Sequence, residues 1–227
     1  MSRPDVPIAR RRFVQLGAGT ALGAVVLGGR ARRAAAAPPT PEFGRLIDPY
    51  ASYDGQDTCD PDPKPGVVDF RNMVLAAYPG TADWGISREC SSGGTSEHKE
   101  GRAWDWGVPD AADRAAVDDL IGWLLATDRF GNQHARLRRL GIMYFIHDRK
   151  IWRAYPPGPG FDQRACDPHA SFDDCHFDHV HFSFSWRGAN RKTSWWHPNS
   201  TFPHSSDRSW QPGVADAGTP RPAVEGC

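Results

Sequence analysis

Ser96-Glu97-His98-Lys99-Glu100-Gly101-Arg102-Ala103-Trp104-Asp105-Trp106 places a histidine and an aspartate seven positions apart, with one glycine between them. Gly101 can adopt a backbone angle that other residues avoid, so the chain can turn there and leave as an extended segment. From Arg102 onward the alternation predicts a strand. Ala103 and Asp105 would lie on one face, Trp104 and Trp106 on the other. An aspartate flanked by tryptophans does not sit freely in water, and a buried carboxylate needs a partner. Backbone hydrogen bonds around a structural Asp105 would satisfy it, and so would a metal ion shared with His98. These eleven residues leave both readings open.

A second stretch bears on the choice. In His176-Phe177-Asp178-His179-Val180-His181-Phe182-Ser183-Phe184, strand parity puts His179 and His181 on one face and Val180, Phe182 and Phe184 on the other. The apolar face belongs to the core and the histidine face to a cleft. Two histidines on the same face of a strand, with a third nearby, are seldom a packing solution. Together His98, Asp105 and His181 supply two imidazoles and a carboxylate. That set suits zinc with an open fourth position for water, as in catalytic sites.

Outward from these stretches, the 227-residue chain has the length of one ordinary domain with unstructured flanks. Residues 1–37 read as a removable leader. Arg10-Arg11-Arg12-Phe13-Val14-Gln15 fits the twin-arginine export pattern, an apolar run from Leu16 to Gly29 follows, and Ala34 to Ala37 offer a cleavage site. That run is too short and too rich in Gly and Ala to span a membrane. The intact chain has 27 basic and 27 acidic residues; losing seven Arg and one Asp leaves 20 against 26. A net charge near −6 argues against a nucleic-acid partner. Export also makes disulfides the expected state of Cys59, Cys90, Cys166 and Cys175. Pairing Cys59 with Cys90 and Cys166 with Cys175 closes short loops beside the two polar clusters. Thiolate zinc ligation competes, but there is no Cys-x-x-Cys spacing. Cys227 ends the chain in a Pro/Gly/Ala tail.

Residues 38–58 read as an extended lead-in, 59–202 as the domain and 203–227 as a disordered tail. Lys64-Pro65-Gly66 opens a helix with Val67, Phe70, Val74 and Ala77 on one face, stopped at Tyr78-Pro79-Gly80. Trp84 to Ser87 suit a short strand. Pro109-Asp110 starts a helix with Val117, Leu120, Ile121, Leu124 and Leu125 as its apolar stripe, and Asn132 to Leu140 suit another ended by Gly141. Ile142–Ile146 and Ile151–Tyr155 predict a hairpin, Pro156 to Asp174 a long loop, and His179–Trp186 the last strand. This order predicts an α+β domain, a small antiparallel sheet with helices packed on it.

The pattern Ser-x-His-x-x-Gly-x-Ala-x-Asp, carried by Ser96, His98, Gly101, Ala103 and Asp105, followed by His176-x-x-His179-x-His181, resembles the zinc D-Ala-D-Ala carboxypeptidases and murein endopeptidases of the M15 type. Those share a hedgehog/D-Ala-D-Ala-peptidase fold. The chain as a whole resembles exported actinobacterial proteins that share this domain. The resemblance implies one zinc ion on His98, Asp105 and His181, with His179 as leading general base. His176 would polarise the scissile carbonyl or stabilise the oxyanion. Other branches place a glutamate base where this chain has Asp178. Strand parity turns Asp178 away from His181 unless the strand begins only at His179, so Asp178 is assigned an orienting role. The family grips its substrate with an upstream arginine, for which Arg88 and Arg71 are candidates.

The expectation is therefore an exported, monomeric zinc metallopeptidase acting on peptidoglycan or a related small peptide, with no membrane span after processing. A non-catalytic, zinc-containing cell-wall module is the alternative; a disulfide-stabilised wall protein whose histidines bind no metal is a third reading. His147 is assigned to the hairpin turn. Trp104, Trp106, Trp152, Trp195 and Trp196 are expected in the core or on cleft walls, where an exposed one would stack on sugar.

Overall fold

The computed structural model describes residues 37–166 and 174–198. The leader motif, the 203–227 tail and Cys227 lie outside them.

Helix α1, Pro65–Ala77, begins where Pro65 fits the first turn and buries Val67, Phe70 and Val74. The next elements are β1 (Ala82–Asp83), β2 (Ala103–Gly107), α2 (Arg114–Leu125), α3 (Ala135–Leu140), β3 (Ile142–His147), β4 (Lys150–Arg153), β5 (Gly160–Gln163), β6 (His179–Phe184) and α4 (Trp186–Ala189). The strands form a six-stranded antiparallel sheet in the order β1-β2-β6-β3-β4-β5. The fold is α+β, as the element order implies. Asp148 and Arg149 both take positive φ in the two-residue β3–β4 turn, which matches the twist of the strands it joins.

Parity gives the sheet two unlike faces. Trp104 and Trp106 of β2, Phe182 and Phe184 of β6, Phe145 of β3 and Trp152 of β4 pack with α1 and α2 in one core. Phe70 lies edge-on to Trp104, Phe182 and Phe184, with ring centroids 5.2–5.9 Å apart. This apolar face fixes the register, because a one-residue slip in β6 would carry every aromatic to the other side. The opposite face carries Asp105, His179, His181 and Ser183. It is partly covered by a smaller cluster of Met143, Tyr144 and Ile146 with Ala51, Ile151 and Tyr155.

The lead-in has no helix or strand, yet it is firmly held. Glu100 accepts from the Asp57 amide (3.1 Å) and from the amide (3.0 Å) and hydroxyl (2.8 Å) of Thr58. Fully buried Arg102 donates to Glu100 (2.7 Å), to the Phe184 carbonyl (3.0 Å) and to the Asp54 carbonyl (2.5 Å). The disulfides join Cys59 to Cys90 and Cys166 to Cys175.

Several boundaries differ from the sequence reading: α3 starts at Ala135 rather than Asn132, β4 is Lys150–Arg153 rather than 151–155, and β6 ends at Phe184, with Trp186 opening α4. Strand β1 is Ala82–Asp83 rather than residues 84–87, although Trp84 still donates to the Asp105 carbonyl (3.0 Å) and the Gly85 carbonyl accepts from Asp105 (3.1 Å). Helix α2 starts at Arg114 because Ala111–Asp113 form a 3-10 turn. Strand β5 falls in the expected long loop; its Pro/Gly-rich surroundings carry no alternation, and pairing with β4 creates it. Among the described residues no helix is long and apolar enough to cross a membrane.

Candidate metal centre

The first half of the site is a 3-10 turn, Glu97–Glu100. Ser96 caps it by accepting from the His98 amide (3.4 Å), and Gly101 closes it in the left-handed region at φ +62°. A Cβ at residue 101 would stand 2.0 Å from the Asp62 carbonyl oxygen, so glycine is required by both conformation and space. The turn lays the His98 ring against β2. The second half comes from pairing, since Asp105 of β2 lies directly across from His181 of β6.

Three ligand atoms converge there. His98 Nε2 is 3.1 Å from Asp105 Oδ2 and 3.2 Å from His181 Nδ1, and His181 Nδ1 is 2.9 Å from Asp105 Oδ1. His98, Asp105 and His181 thus form a group able to hold a metal ion.

The surrounding hydrogen bonds fix which nitrogens carry protons. His98 Nδ1 meets the Ile86 carbonyl at 2.8 Å; a carbonyl only accepts, so Nδ1 is protonated and neutral His98 presents a bare Nε2. On the far side of His181, Nε2 lies 3.1 Å from Ser183 Oγ. That hydroxyl donates to Glu97 Oε2 (3.3 Å), which also accepts from the Tyr144 hydroxyl (2.7 Å). With the Ser183 proton spent on the carboxylate, His181 donates from Nε2 and presents a bare Nδ1. Two lone pairs and a carboxylate then meet about 3 Å apart. Such an arrangement repels itself unless a cation or added protons lie between them.

Without a cation, protons on the nitrogens that face Asp105 take its place, and the acidity of the carboxyl reflects that metal-free state. Burial would raise the Asp105 carboxyl, but hydrogen bonds from His181 and His98 outweigh it and hold Asp105 well below the usual carboxylate range. Burial pushes His181 down more than Asp105 raises it. His176 is pushed down to about 3 by burial, then by the neighbouring His181 and His179. The buried Tyr144 phenol is held far above its ordinary value by burial and by Glu97.

His179 sits beside the group, with Nε2 3.9 Å from Asp105 Oδ1. Its Nδ1 lies 3.0 Å from Asp178 Oδ1, and the carboxylate accepts that proton, which makes Nε2 the basic nitrogen. The parity problem with Asp178 does not arise, because β6 begins at His179. His176, at φ +56°, directs Nδ1–H to the Asp174 carbonyl (3.0 Å), and its ring lies 4.6 Å from that of His179 and 5.9 Å from that of His181.

Arg88 is half-buried next to the first ligand. Its amide donates to the His98 carbonyl (3.2 Å), and its guanidinium has no hydrogen bond or ion pair among the described residues. Arg71 instead pairs with Asp83 (3.3 Å), which accepts from Trp104 Nε1 (2.9 Å) on the helical side of the sheet. His147 donates from Nδ1 to the His179 carbonyl (2.9 Å), supporting β6 from its β3 neighbour. Trp104, Trp106, Trp152 and Trp195 are buried and Trp196 is half-buried.

Glu97, Ser183, Tyr144 and Trp84 are the neighbours of the site that sequence reasoning does not find. Ser183 had a signal, since it lies two residues beyond His181 on the same strand face. Glu97 and Tyr144 had none, because turn geometry and sheet pairing bring them together.

Residues 59–171 match the family model described as "VldE, C-terminal domain", a span that begins at Cys59, contains His98 and Asp105, and stops before His176. No curated protein and no solved structure matches the chain.

Proposed function

We propose that this chain is an exported zinc hydrolase with a hedgehog/D-Ala-D-Ala-peptidase-like fold, related to the M15-type peptidases, that cleaves a peptide bond in peptidoglycan or a related small peptide. One observation carries the reading: ligand atoms of His98, Asp105 and His181 converge beside a histidine whose far nitrogen is held by a carboxylate. The motif resemblance and the two disulfides, which suit an oxidising compartment, support it. Export by the twin-arginine route is part of the same proposal and rests on Arg10–Gln15.

His98 Nε2, Asp105 and His181 Nδ1 would hold the ion. A bound zinc supplies a Lewis acid that brings the pKa of a water towards neutrality. His179 Nε2 takes the proton from the attacking water as its oxygen bonds to the carbonyl carbon. The Asp178 carboxylate steadies the imidazolium. When the C–N bond breaks, His179 Nε2 returns that proton to the departing amine. His176 presents Nε2 as an acceptor in this tautomer, so it would orient a substrate N–H rather than stabilise the oxyanion. Arg88, whose amide is bonded to the His98 carbonyl, would meet a substrate carboxylate.

Metal analysis followed by incubation with muropeptides tests the reading. The chain should carry one zinc and release product, and His179→Ala should keep the metal and slow cleavage by at least ~10²-fold. Equal product from both proteins would remove His179 as base. A metal-loaded chain inert across a substrate panel would be a binding module.

A further inference from the structure

Among the described residues only four large hydrophobic side chains are exposed: Leu46, Tyr53, Trp84 and Phe161. Trp84 belongs to the metal-bearing face. Asp105 and Gly107 are two apart on β2 and share that face, and a Cβ at Gly107 would lie 2.3 Å from Trp84 Nε1, so the indole rests flat on the bare glycine. Its ring is 5.5 Å from the His179 ring, yet the residue remains 42% exposed. The backbone beneath it is pinned through the Trp84 amide to Asp105. The half-bare indole beside the proposed base offers a flat apolar surface to a ligand.

On the other flank a row of rings leaves the site. Tyr144 stacks on His181 (5.6 Å), Tyr155 meets Tyr144 edge-on (6.4 Å), and Tyr53 lies 5.0 Å from Tyr155 and is 58% exposed. Two of the four exposed hydrophobics thus flank one metal group, among polar neighbours that include His176, Asp178 and Glu97.

We infer that Trp84 is a carbohydrate platform, binding the apolar face of a pyranose ring joined to the peptide that is cut, with Tyr53 as a second, outer contact. A sugar suits this surface because one face of the ring is apolar while its rim of hydroxyls matches the polar groups around it; a purely apolar ligand would strand those groups. The inference rests on the hydrolase reading and narrows its substrate to glycan-linked peptide.

Two measurements on the zinc-loaded full chain test it. The first is the kcat/KM ratio for a disaccharide-linked peptide against the same peptide without sugar, which should fall about tenfold in Trp84→Ala while zinc content stays at one ion. Trp84→Phe, which keeps a ring on Gly107, should recover part of the ratio and serves if the alanine variant misfolds. The second is titration with an N-acetylglucosamine tetramer, which has no peptide bond to cut. The indole N–H signal of Trp84, assigned by its loss in Trp84→Phe, should shift. An unchanged ratio with an unmoved indole signal overturns the platform and leaves the hydrolase standing. A moving signal in a chain that cleaves no substrate keeps the platform and removes the hydrolase.

Discussion

Ser183→Ala isolates the proton bookkeeping of the centre. Ser183 is fully buried and touches no ligand atom directly involved in coordination; it accepts from His181 Nε2 and donates to Glu97. Without metal the variant has an easy escape, because His181 can move its proton to Nδ1 and donate to Asp105 at 2.9 Å. With metal that escape closes: Nδ1 must be bare, so Nε2–H points at a methyl group in a dry site. An unsatisfied buried donor costs about 1–3 kcal/mol, and the cost falls almost wholly on the loaded state. Zinc affinity should therefore drop roughly 10- to 100-fold, since about 1.4 kcal/mol is a factor of ten. Glu97→Gln should act in the same direction while preserving shape. Its amide can donate to Ser183, which turns the serine hydroxyl towards His181 Nε2 and favours the wrong tautomer. Competition against a chromogenic chelator measures the affinity, and thermal melts in chelator measure the apo fold. Wild-type zinc affinity in both variants, with apo melts also unchanged, would refute the tautomer argument.

Elsewhere, Glu100→Gln should destabilise the chain at neutral pH by about 3–5 kcal/mol by leaving buried Arg102 unpaired. Burial alone would raise the Glu100 carboxyl, but Thr58 and Arg102 hold it below its ordinary value. Its stabilisation is thus complete above the ordinary glutamate pKa and fades as pH falls through the folded value. Chemical denaturation from pH 7 downwards should show the wild-type advantage shrinking only in acid; a gap independent of pH would contradict the assignment. Cys59→Ser should cost about 2–4 kcal/mol, because the bond closes a loop with a sequence separation of 31. Reducing agent should lower the wild-type melt more than that of the variant.

The fold was legible wherever periodicity and a core agreed. Val67, Phe70 and Val74 declared α1, and the alternation of Val180, Phe182 and Phe184 against His179 and His181 declared β6 and its two faces. Strand β5 was not legible, because an edge strand in Pro/Gly-rich chain owes its form to the neighbour it pairs with. The ligand trio could be read because each member sits in a short pattern. The five tryptophans expected in the core or on cleft walls are buried or half-buried, but the exposure of Trp84 could not be read, because the absence of a side chain at Gly107 seats it. Sequence shows which residues are aromatic, but a missing Cβ on a neighbouring strand decides which one stays bare.

Glu97 gives the centre its charge as well as its tautomer. It is a buried carboxylate whose side-chain partners are the hydroxyls of Tyr144 and Ser183, and no Lys or Arg pairs with it or with Asp105 among the described residues. With both imidazoles presenting lone pairs and both carboxylates ionised, as metal binding requires, the group would carry a charge of −2 into a largely buried site. Hydroxyl donors soften an isolated buried carboxylate but do not neutralise it, and a second one beside it raises the cost further. A dication balances the pair to zero, whereas a monovalent ion or a single proton leaves one charge uncompensated. The same count explains why Glu97 belongs on the far side of Ser183 rather than among the ligands. There it would supply charge and orientation through the relay while three ligands leave a bound ion an open position for water.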